Sequence, residues 1–407
     1  MLSLKQTIFL PVLILLITFI SVNQWNKFDI GGPVFIMGIS LLTVISVFWC
    51  KIKYFRPDNI KDYRLVLVYL LWLLVGIIRG FVEMDEMGDA ADKWRWQNFI
   101  LTSFALVLPI FVYVFSIPEI LQKTLKIWFT FALFVFAGLM FTLSTSAYHF
   151  YLGPVLLMAC FLPILPKRWK IILAGLLFLM IFINFTARSQ VIKAGIALMI
   201  SFAYIMSKYL SKRFFGLVHW ICYIVPIILL YLGIAGIFNV FRFGEELNLG
   251  EVKEEKLSTD TRSGLYYEVI TSAVKHNYIW QGRTPARGND TELFSKDYYN
   301  TERFDNEFCH PNVFTWLGMI GVILYSLIYL KSSYLAVYKS NNIWIKLLGL
   351  YIAFRWFFGW IEDINHLTIM SISLWMMIAM GFSEQFRQMN NDEFKEWAVG
   401  VFQKSNR

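Results

Sequence analysis

Charged residues are scarce in this sequence. Of its 407 residues, 16% are Asp, Glu, Lys or Arg, whereas a soluble globular protein has about 25%. This shortage excludes a disordered chain, a nucleic-acid-binding protein and a soluble enzyme on a membrane anchor. Cysteine and histidine are also rare, with 4 and 5 copies, and their spacing resembles no zinc site. We therefore expect no internal disulfide, no metal and no cofactor.

Long apolar runs take up most of the chain, 57% of which is hydrophobic. A membrane-spanning helix needs about 20 residues, so the runs predict an all-α, polytopic membrane protein with about twelve spans. Duplicated halves of the kind that many transporters show are not visible in the sequence. The predicted spans are 7–23, 31–49, 64–82, 98–116, 123–143, 148–165, 169–185, 190–207, 216–239, 310–331, 343–361 and 366–382.

The basic residues predict how these spans are oriented. Cytoplasmic loops of membrane proteins carry an excess of Lys and Arg. With the N-terminus inside, sixteen Lys and Arg lie in the loops on one side and five on the other, the latter being Lys27, Lys93, Arg95, Arg188 and Lys193. We therefore expect a multi-pass protein of the plasma membrane with both termini in the cytoplasm. The excess of Lys and Arg in the cytoplasmic loops accounts for the net charge of +9, which therefore does not indicate a nucleic-acid partner.

Three segments outside the spans stand out. The polar segment 241–309 is long for a loop, lies on the predicted outer side, and is a candidate for function. The outer segment 83–97 is acidic at first and then aromatic and basic. The predicted domains are therefore a membrane domain over 1–383, which includes the external loop 241–309, and a cytoplasmic tail over 384–407. Apolar tail residues recur with helical spacing, which predicts an amphipathic helix at the inner membrane surface; they are Phe394, Trp397, Ala398, Val401 and Phe402.

Charged side chains within spans are expensive and usually mark function or a buried partner. Those found here lie toward the predicted outer ends of their spans; they are Arg79, Arg188, Arg355, Glu362 and Asp363. A substrate that arrives from the outer leaflet would meet them. Arg188 lies in a tight connection between two spans, where its guanidinium suits a phosphate.

Two further residues open helices of the outer region. Arg262 falls in the first turn of a predicted loop helix, where a cation opposes the helix dipole. His310 precedes Pro311 at the start of a span, and proline suits the first turn of a helix. A helix N-terminus keeps a histidine neutral and able to accept a proton, as a general base must. His276, inside the loop, is the rival for this role.

The order of these features resembles the O-antigen ligase and O-antigen polymerase superfamily of bacterial envelope glycosyltransferases. The resemblance covers the twelve-span topology and, most specifically, residues 185–325. There an outer arginine in a tight turn is followed by a long loop that opens with Arg262-Ser263 and ends at His310, ahead of Gly318-Met319-Ile320-Gly321. The resemblance implies a GT-C-like fold and a catalytic set similar to Arg188, Arg262 and His310.

The implied reaction transfers a glycan from a polyprenyl-pyrophosphate carrier to a sugar hydroxyl at the outer face of the bacterial inner membrane. The arginines would stabilise the pyrophosphate leaving group, His310 would deprotonate the acceptor, and the anomeric centre would invert. The acceptor is a second lipid-linked glycan in a polymerase, which we slightly favour, or a lipid A core sugar in a ligase. Further residues predicted to bind substrate are Arg79, Arg283, Arg287, Arg355 and Tyr266.

Two other functions are compatible with the composition. Glu83 and Asp85 have the spacing of a short acidic motif that could hold Mg²⁺ or Mn²⁺ in a metal-dependent membrane glycosyltransferase. A flippase or other transporter of lipid-linked oligosaccharides is the non-enzymatic alternative, and it predicts charges deep in the helix bundle together with repeat symmetry.

Overall fold

The computed structural model describes residues 9–27, 31–88, 92–207, 209, 211–234, 261–291, 302–363 and 366–403. These residues form an all-α bundle with one short two-stranded antiparallel sheet, Asn289–Asp290 paired with Glu302–Arg303. The α-helices are Phe9–Ile20, Pro33–Tyr54, Arg64–Glu86, Lys93–Leu106, Phe111–Phe115, Pro118–Leu139, Tyr148–Tyr151, Gly153–Ala159, Lys167–Phe182, Arg188–Met206, Lys212–Ile234, Thr261–Lys275, Cys309–Tyr338, Ile343–Phe358, Ile369–Phe382, Glu384–Gln388 and Asn391–Gly400. Short 3-10 helices cover Asn23–Trp25, Ile60–Tyr63, Leu108–Ile110, Thr145–Ala147 and Leu162–Ile164.

Seven helical segments in the described part of the chain are long and apolar enough to cross a membrane. This confirms the prediction of an all-α, multi-pass membrane protein, while the number of twelve spans stays a prediction. Two shorter apolar helices, Phe9–Ile20 and Ile369–Phe382, accompany them. The seven segments are Pro33–Tyr54, Ile60–Glu86, Lys93–Phe115, Pro118–Leu139, Arg188–Met206, Arg213–Leu232 and Cys309–Tyr338.

The predicted span 148–165 is not one helix. It is divided into Tyr148–Tyr151 and Gly153–Ala159, followed by a 3-10 turn at Leu162–Ile164. Proline is the second residue of both later pieces, at Pro154 and Pro163, and a proline inside a helix would remove a backbone hydrogen bond. The break lets Gly153 pack directly on the backbone of Ile369 and Met370, where a Cβ atom would not fit.

The helix Cys309–Tyr338, here called the histidine helix because it carries His310, is broken at Gly318. Gly318 has φ of 69° and ψ of −171°, a conformation that favours glycine. The break frees backbone groups on both sides, and within an apolar bundle each needs a new partner. The loop segment 279–284 supplies them: Arg283 N and Thr284 N donate to Thr315 O and Trp316 O, and Met319 N and Ile320 N donate to Ile279 O and Trp280 O.

The described part of the segment 241–309 therefore packs into the bundle. Gly282 and Gly318 face each other so closely that a Cβ atom on either would overlap the backbone of the other segment. Trp72 Nε1 donates to Leu317 O at 3.0 Å and satisfies a further carbonyl at the break. His310 thus lies on a short helical segment, 309–317, held in place by the loop.

Described loop segments meet at two separate places on the bundle. Contacts at one end, here called the loop end, join distant loops: Ser144 N donates to Trp25 O, Arg95 pairs with Glu302, and Tyr266 donates to Trp360 O. The other end, here called the basic end, gathers segments rich in Lys and Arg around residues 54–64, 116–126, 163–170 and 383–403. Which end faces the cytoplasm stays a prediction.

The tail forms a helix, as predicted, but its apolar face covers the bundle. The tail helix, Asn391–Gly400, begins with a capping box formed by Asn390 and Glu393. Trp397 Nε1 donates to Pro118 O at 3.0 Å, and Gln122 Nε2 donates to Trp397 O at 2.7 Å. Phe394, Trp397, Ala398 and Val401 are buried by this packing. The apolar face of the tail helix therefore packs on the bundle, and its place at the inner membrane surface stays a prediction.

Candidate active site

His310 is buried at the loop end, with 1% of its surface exposed. Its ring lies against Trp360, with the ring centroids 4.5 Å apart, and its Nε2 is 3.0 Å from Trp356 O. A carbonyl oxygen only accepts, so Nε2 carries the hydrogen and Nδ1 has the lone pair. Nδ1 has no hydrogen-bond partner among the described residues. The neutral ring therefore presents an unused basic nitrogen, as the proposed general base requires.

The turn 359–363, here called the hub turn, holds the start of the histidine helix. Cys309 N donates to both Gly359 O and Glu362 O at 3.0 Å. Gly359 leaves room for this approach, since a Cβ atom there would lie in tight contact with His310 Nε2, at 3.0 Å. The position of His310 is thus set by backbone contacts with a turn that lies about fifty residues further along the chain.

The loop helix, Thr261–Lys275, contacts the same turn. Tyr266 donates its hydroxyl to Trp360 O, and its ring stacks on Phe308 at 4.9 Å between centroids. Arg262 is the second residue of this helix, one turn before Tyr266. Positions four apart share a helix face, so the backbone of Arg262 lies on the face that carries Tyr266 toward the hub turn. The side chain of Arg262 lies outside the described residues.

Three charged side chains pack behind the hub turn, and we call them the buried trio. Lys193 Nζ forms an ion pair with Glu362 Oε1, and Arg355 Nη2 lies 3.6 Å from Glu362 Oε2. The side chains of Lys193 and Arg355 are 0% and 3% exposed. Two cations face one carboxylate, and Arg355 Nε has no hydrogen-bond partner among the described residues. The trio therefore carries a surplus positive charge in a place where charge is costly.

Lys193 is a site residue that sequence reasoning misses, because the sequence places it near a loop, among the predicted outer basic residues. It faces inward from the helix Arg188–Met206, and its Nζ also lies 3.3 Å from Met370 Sδ. Gln190, one turn earlier, is buried as well, and its Oε1 accepts from His149 N at 3.2 Å. The sequence does contain a signal for Lys193, because a lysine within an otherwise apolar helix usually marks function or a buried partner.

Arg188 begins this helix, but its side chain is exposed. It forms no ion pair with any residue that the structure describes, and it lies on a different face from Lys193. The structure thus brings His310, Tyr266 and Arg355 to the hub turn and leaves Arg188 at the periphery of the loop end. A role for Arg188 in phosphate binding stays a prediction.

The other predicted substrate-binding arginines attach the loop to the bundle. Arg79, on the helix Arg64–Glu86, donates to Gln281 O at 3.0 Å and Gly282 O at 3.2 Å. Arg287 forms a forked ion pair with Glu302 and reaches Glu83 Oε1 at 3.1 Å. Arg283 bonds Asp290 Oδ1 at 2.9 Å. These contacts give the three arginines a structural task, and substrate binding by them stays a prediction.

We call this network the loop anchor; its charged members are Glu83, Arg95, Arg283, Arg287, Asp290 and Glu302. Burial raises the pKa of Asp290, but hydrogen bonds from Lys275, His276 and Arg283 outweigh it and hold the pKa well below its usual value. His276, the alternative candidate for the general base, is hydrogen-bonded within this network, with its Nε2 2.8 Å from Asp290 Oδ2. It therefore belongs to the loop anchor and not to the hub turn.

The predicted metal motif does not form. Glu83 and Asp85 both lie in the helix Arg64–Glu86, and side chains two positions apart on a helix do not face each other. Glu83 also accepts from Thr284 Oγ1 at 2.7 Å. Asp85 is exposed.

A different cluster has the atoms for a divalent cation. Oxygens of Asp305 and Asp363 and a nitrogen of His366 lie within 4.8 Å of one another. His366 Nε2 is 3.1 Å from Asp305 and 2.8 Å from Asp363. Desolvation lowers the pKa of His366, but the two carboxylates outweigh it and raise the pKa well above its usual value. A protonated imidazole between two carboxylates therefore satisfies the cluster without a metal.

The local architecture thus joins an unused imidazole nitrogen, a loop helix and surplus buried positive charge at one turn. Comparisons of the chain with protein-family models, with curated proteins and with solved structures found no match.

Proposed function

We propose that this protein is an inverting membrane glycosyltransferase that moves a glycan from a polyprenyl-pyrophosphate carrier to a sugar hydroxyl. The observation that supports it best is the convergence on the hub turn of His310, the loop helix and the buried trio. A general base and cations for an anionic leaving group are the two requirements of this reaction. The product would be O-antigen, capsule or a similar surface polysaccharide, with polymerase slightly favoured over ligase.

In the proposed step, His310 Nδ1 takes the proton of the acceptor hydroxyl. The hydroxyl oxygen bonds to the anomeric carbon, and the bond from that carbon to the pyrophosphate oxygen breaks. The electron pair leaves with the polyprenyl pyrophosphate, whose charge is offset by Arg355 and Lys193, with Arg262 and Arg188 as further candidates. His310 is buried, so neighbouring side chains such as Trp360 must move before an acceptor reaches Nδ1.

Glu362 has a defined part in this proposal. As an anion between Lys193 and Arg355, it holds the two cations where a pyrophosphate could take over their contacts. A pre-set arrangement of this kind reduces reorganisation when charge develops on the leaving group. The surplus positive charge of the trio also favours an entering anion over the empty site.

The first prediction compares two histidines of the loop end. His310→Ala should lower glycan transfer by about 10²–10⁴, the usual contribution of a general base. His276→Ala is the matched control and should stay within a few-fold of the wild type, since His276 belongs to the loop anchor. The measurement is the length of surface glycan in a deletion strain that carries each variant at equal membrane levels. Normal glycan with His310→Ala would contradict the proposal.

The second prediction concerns the membrane and the orientation. We propose that both termini lie in the cytoplasm and the loop end lies outside the bacterial inner membrane. Tyr267 is 70% exposed on the loop helix, so Tyr267→Cys should react with a membrane-impermeant maleimide in intact spheroplasts. Lys395→Cys, in the tail, should react only after lysis. The wild type controls for native cysteines, and the reverse labelling order would contradict the orientation.

A transporter of lipid-linked oligosaccharides is the second candidate, because two features favour it. The histidine helix is broken at Gly318, and the buried trio places charge inside the bundle; discontinuous helices and buried charges are common in transporters. Transfer of glycan by the purified protein in detergent, where there are no compartments, separates the two functions. An enzyme forms product under these conditions and a transporter does not. Including EDTA in the same assay tests whether a metal is needed.

A further inference from the structure

A cavity of about 960 Å³ opens at the basic end of the bundle, far from the hub turn. One wall is the first turn of the helix Lys167–Phe182 with the preceding segment 163–166, and the opposite wall is the tail helix. Its size lies within the usual range for small-molecule sites, about 300–1,000 Å³. The tail helix therefore does more than cover the bundle, because it completes a cavity.

The charge around this cavity is unbalanced. Lys167, Arg168 and Lys170 line it from the helix start, and Lys395 lines it from the tail helix. Among the described lining residues, Asp392 is the one acidic side chain. None of the four cations forms an ion pair or a side-chain hydrogen bond with the residues that the structure describes.

The three cations of the first turn also oppose their own helix. The N-terminus of a helix carries a partial positive charge, and the first turn of this helix has no acidic residue. The partial positive charges of the backbone N–H groups and the full charges of the side chains therefore add to a positive potential in the cavity. An anion bound there would relieve both the mutual repulsion of the side chains and their conflict with the helix dipole.

A second cavity at the same end shows that this imbalance is local. It measures about 770 Å³ and is lined by four basic and four acidic side chains, the acidic ones being Asp58, Asp62, Glu119 and Glu384. There Asp62 pairs with Lys331 at 3.4 Å and with Arg387 at 3.6 Å. The excess of basic residues that orients a membrane protein does not require four unpaired cations from two distant segments to meet in one cavity.

Aromatic side chains indicate what kind of anion fits. Trp169, Tyr204 and Trp344 line the same cavity, and the rings of Tyr204 and Trp344 stack at 3.9 Å between centroids. Trp and Tyr favour the head-group level of a membrane, and basic pockets between helices bind anionic lipid head groups. We infer that this cavity binds the phosphate head group of an anionic phospholipid, with the tail helix as one wall of the site.

The test is native mass spectrometry of the full-length protein in detergent, titrated with phosphatidylglycerol or with zwitterionic phosphatidylethanolamine. The wild type should bind one phosphatidylglycerol in a saturable way and prefer it to phosphatidylethanolamine. Lys167→Gln/Arg168→Gln/Lys170→Gln should weaken this binding by at least tenfold, since each cation near a lipid surface contributes roughly fivefold. Lys395→Gln should weaken it about fivefold.

The matched control is Arg56→Gln/Lys123→Gln/Lys126→Gln, which removes the same charge from the balanced cavity at the same end and should change binding less than twofold. The conservative Lys167→Arg/Lys170→Arg variant keeps both charges and should still bind phosphatidylglycerol. It shows whether the site tolerates substitution at these positions. Equal binding of the two lipids, or equal losses in both triple variants, would overturn the inference. Complete displacement of the lipid by millimolar inorganic phosphate would assign the cavity to a free phosphate instead.

Discussion

The loop end holds two charge networks that are built in opposite ways. In the loop anchor each cation has a carboxylate partner, and the members are partly exposed. In the buried trio two cations share Glu362, and Arg355 Nε has no partner among the described residues. Balanced, hydrated networks serve structure at little cost, whereas a buried surplus charge is expensive unless a ligand completes it. The comparison therefore assigns the arginines of the loop anchor to positioning the loop and leads us to expect that Arg355 is suited to an anionic ligand.

The largest expected effect tests this separation with one conservative change in each network. Arg355→Lys should lower glycan transfer by about 10²-fold or more, because lysine keeps the charge but loses the planar fork that suits a phosphate, and one lost donor typically costs ~10²–10³. Arg283→Lys should retain activity within a few-fold, since an ammonium group can still pair with Asp290 and Glu302. Turnover of purified protein with lipid-linked donor is the measurement.

The control for misfolding is the midpoint of thermal unfolding in detergent. It should change little in either lysine variant, because both keep a cation beside its carboxylate. Equal losses of activity in the two variants would remove the distinction between the networks. A loss with Arg283→Lys alone would move substrate binding to the loop anchor, as the sequence predicts for Arg283 and Arg287.

The sequence predicts those structural features that depend on residues close together in the chain. Apolar runs predict the helices, and the proline after His310 correctly predicts that a helix starts there. The pairing of charges depends on the fold instead. Lys193 meets a carboxylate that lies 169 positions away, and Arg287 meets Glu83 across 204 positions. No spacing rule connects such residues, so arginines that fix the loop and arginines suited to a ligand cannot be distinguished in the sequence.

The broken helix was missed for a related reason. Glycine is common in membrane-spanning helices, so Gly318 alone does not indicate a break. The break is stabilised by hydrogen bonds from the segment 279–284, which belongs to the loop. A local signal did exist for the span 148–165, where Pro154 and Pro163 both interrupt an apolar run that is too short to span a membrane after division.

An intermediate effect is expected from the contact that seats the loop in the broken helix. Gly318→Ala should destabilise the protein, because φ of 69° costs a non-glycine residue about 1–3 kcal/mol and the new methyl group would meet Trp280 O. Gly138→Ala is the matched control: its Cβ would meet nothing within 4 Å in the helix Pro118–Leu139, and alanine favours a helix by up to about 1 kcal/mol.

Thermal unfolding in detergent distinguishes the two glycine variants, with Gly318→Ala lower than the wild type and Gly138→Ala equal or higher. Gly318→Ala should also expose the loop to added protease at temperatures where the wild type resists. A stable Gly318→Ala protein with a protected loop would mean that the loop anchor alone seats the loop, and the broken helix would lose its assigned role.

The smallest effect comes from His366, which pairs with Asp305 of the loop and with Asp363 of the hub turn. Its pKa is raised in the folded protein, so the stabilisation is fully present below the unfolded pKa, near 6.5, and is lost as the pH rises through the folded value. The side chain is 56% exposed, so solvent screening limits the contribution to less than about 1 kcal/mol. The difference in unfolding midpoint between the wild type and His366→Gln should therefore shrink as the pH rises from 6 to 10.

Arg303→Gln is the control for this prediction. A guanidinium stays charged over this pH range, so the difference in unfolding midpoint between the wild type and Arg303→Gln should stay constant. A midpoint that rises with added Mn²⁺ in the wild type, but not in His366→Gln, would instead assign these three residues to a metal site and weaken the expectation that the proposed reaction needs no metal.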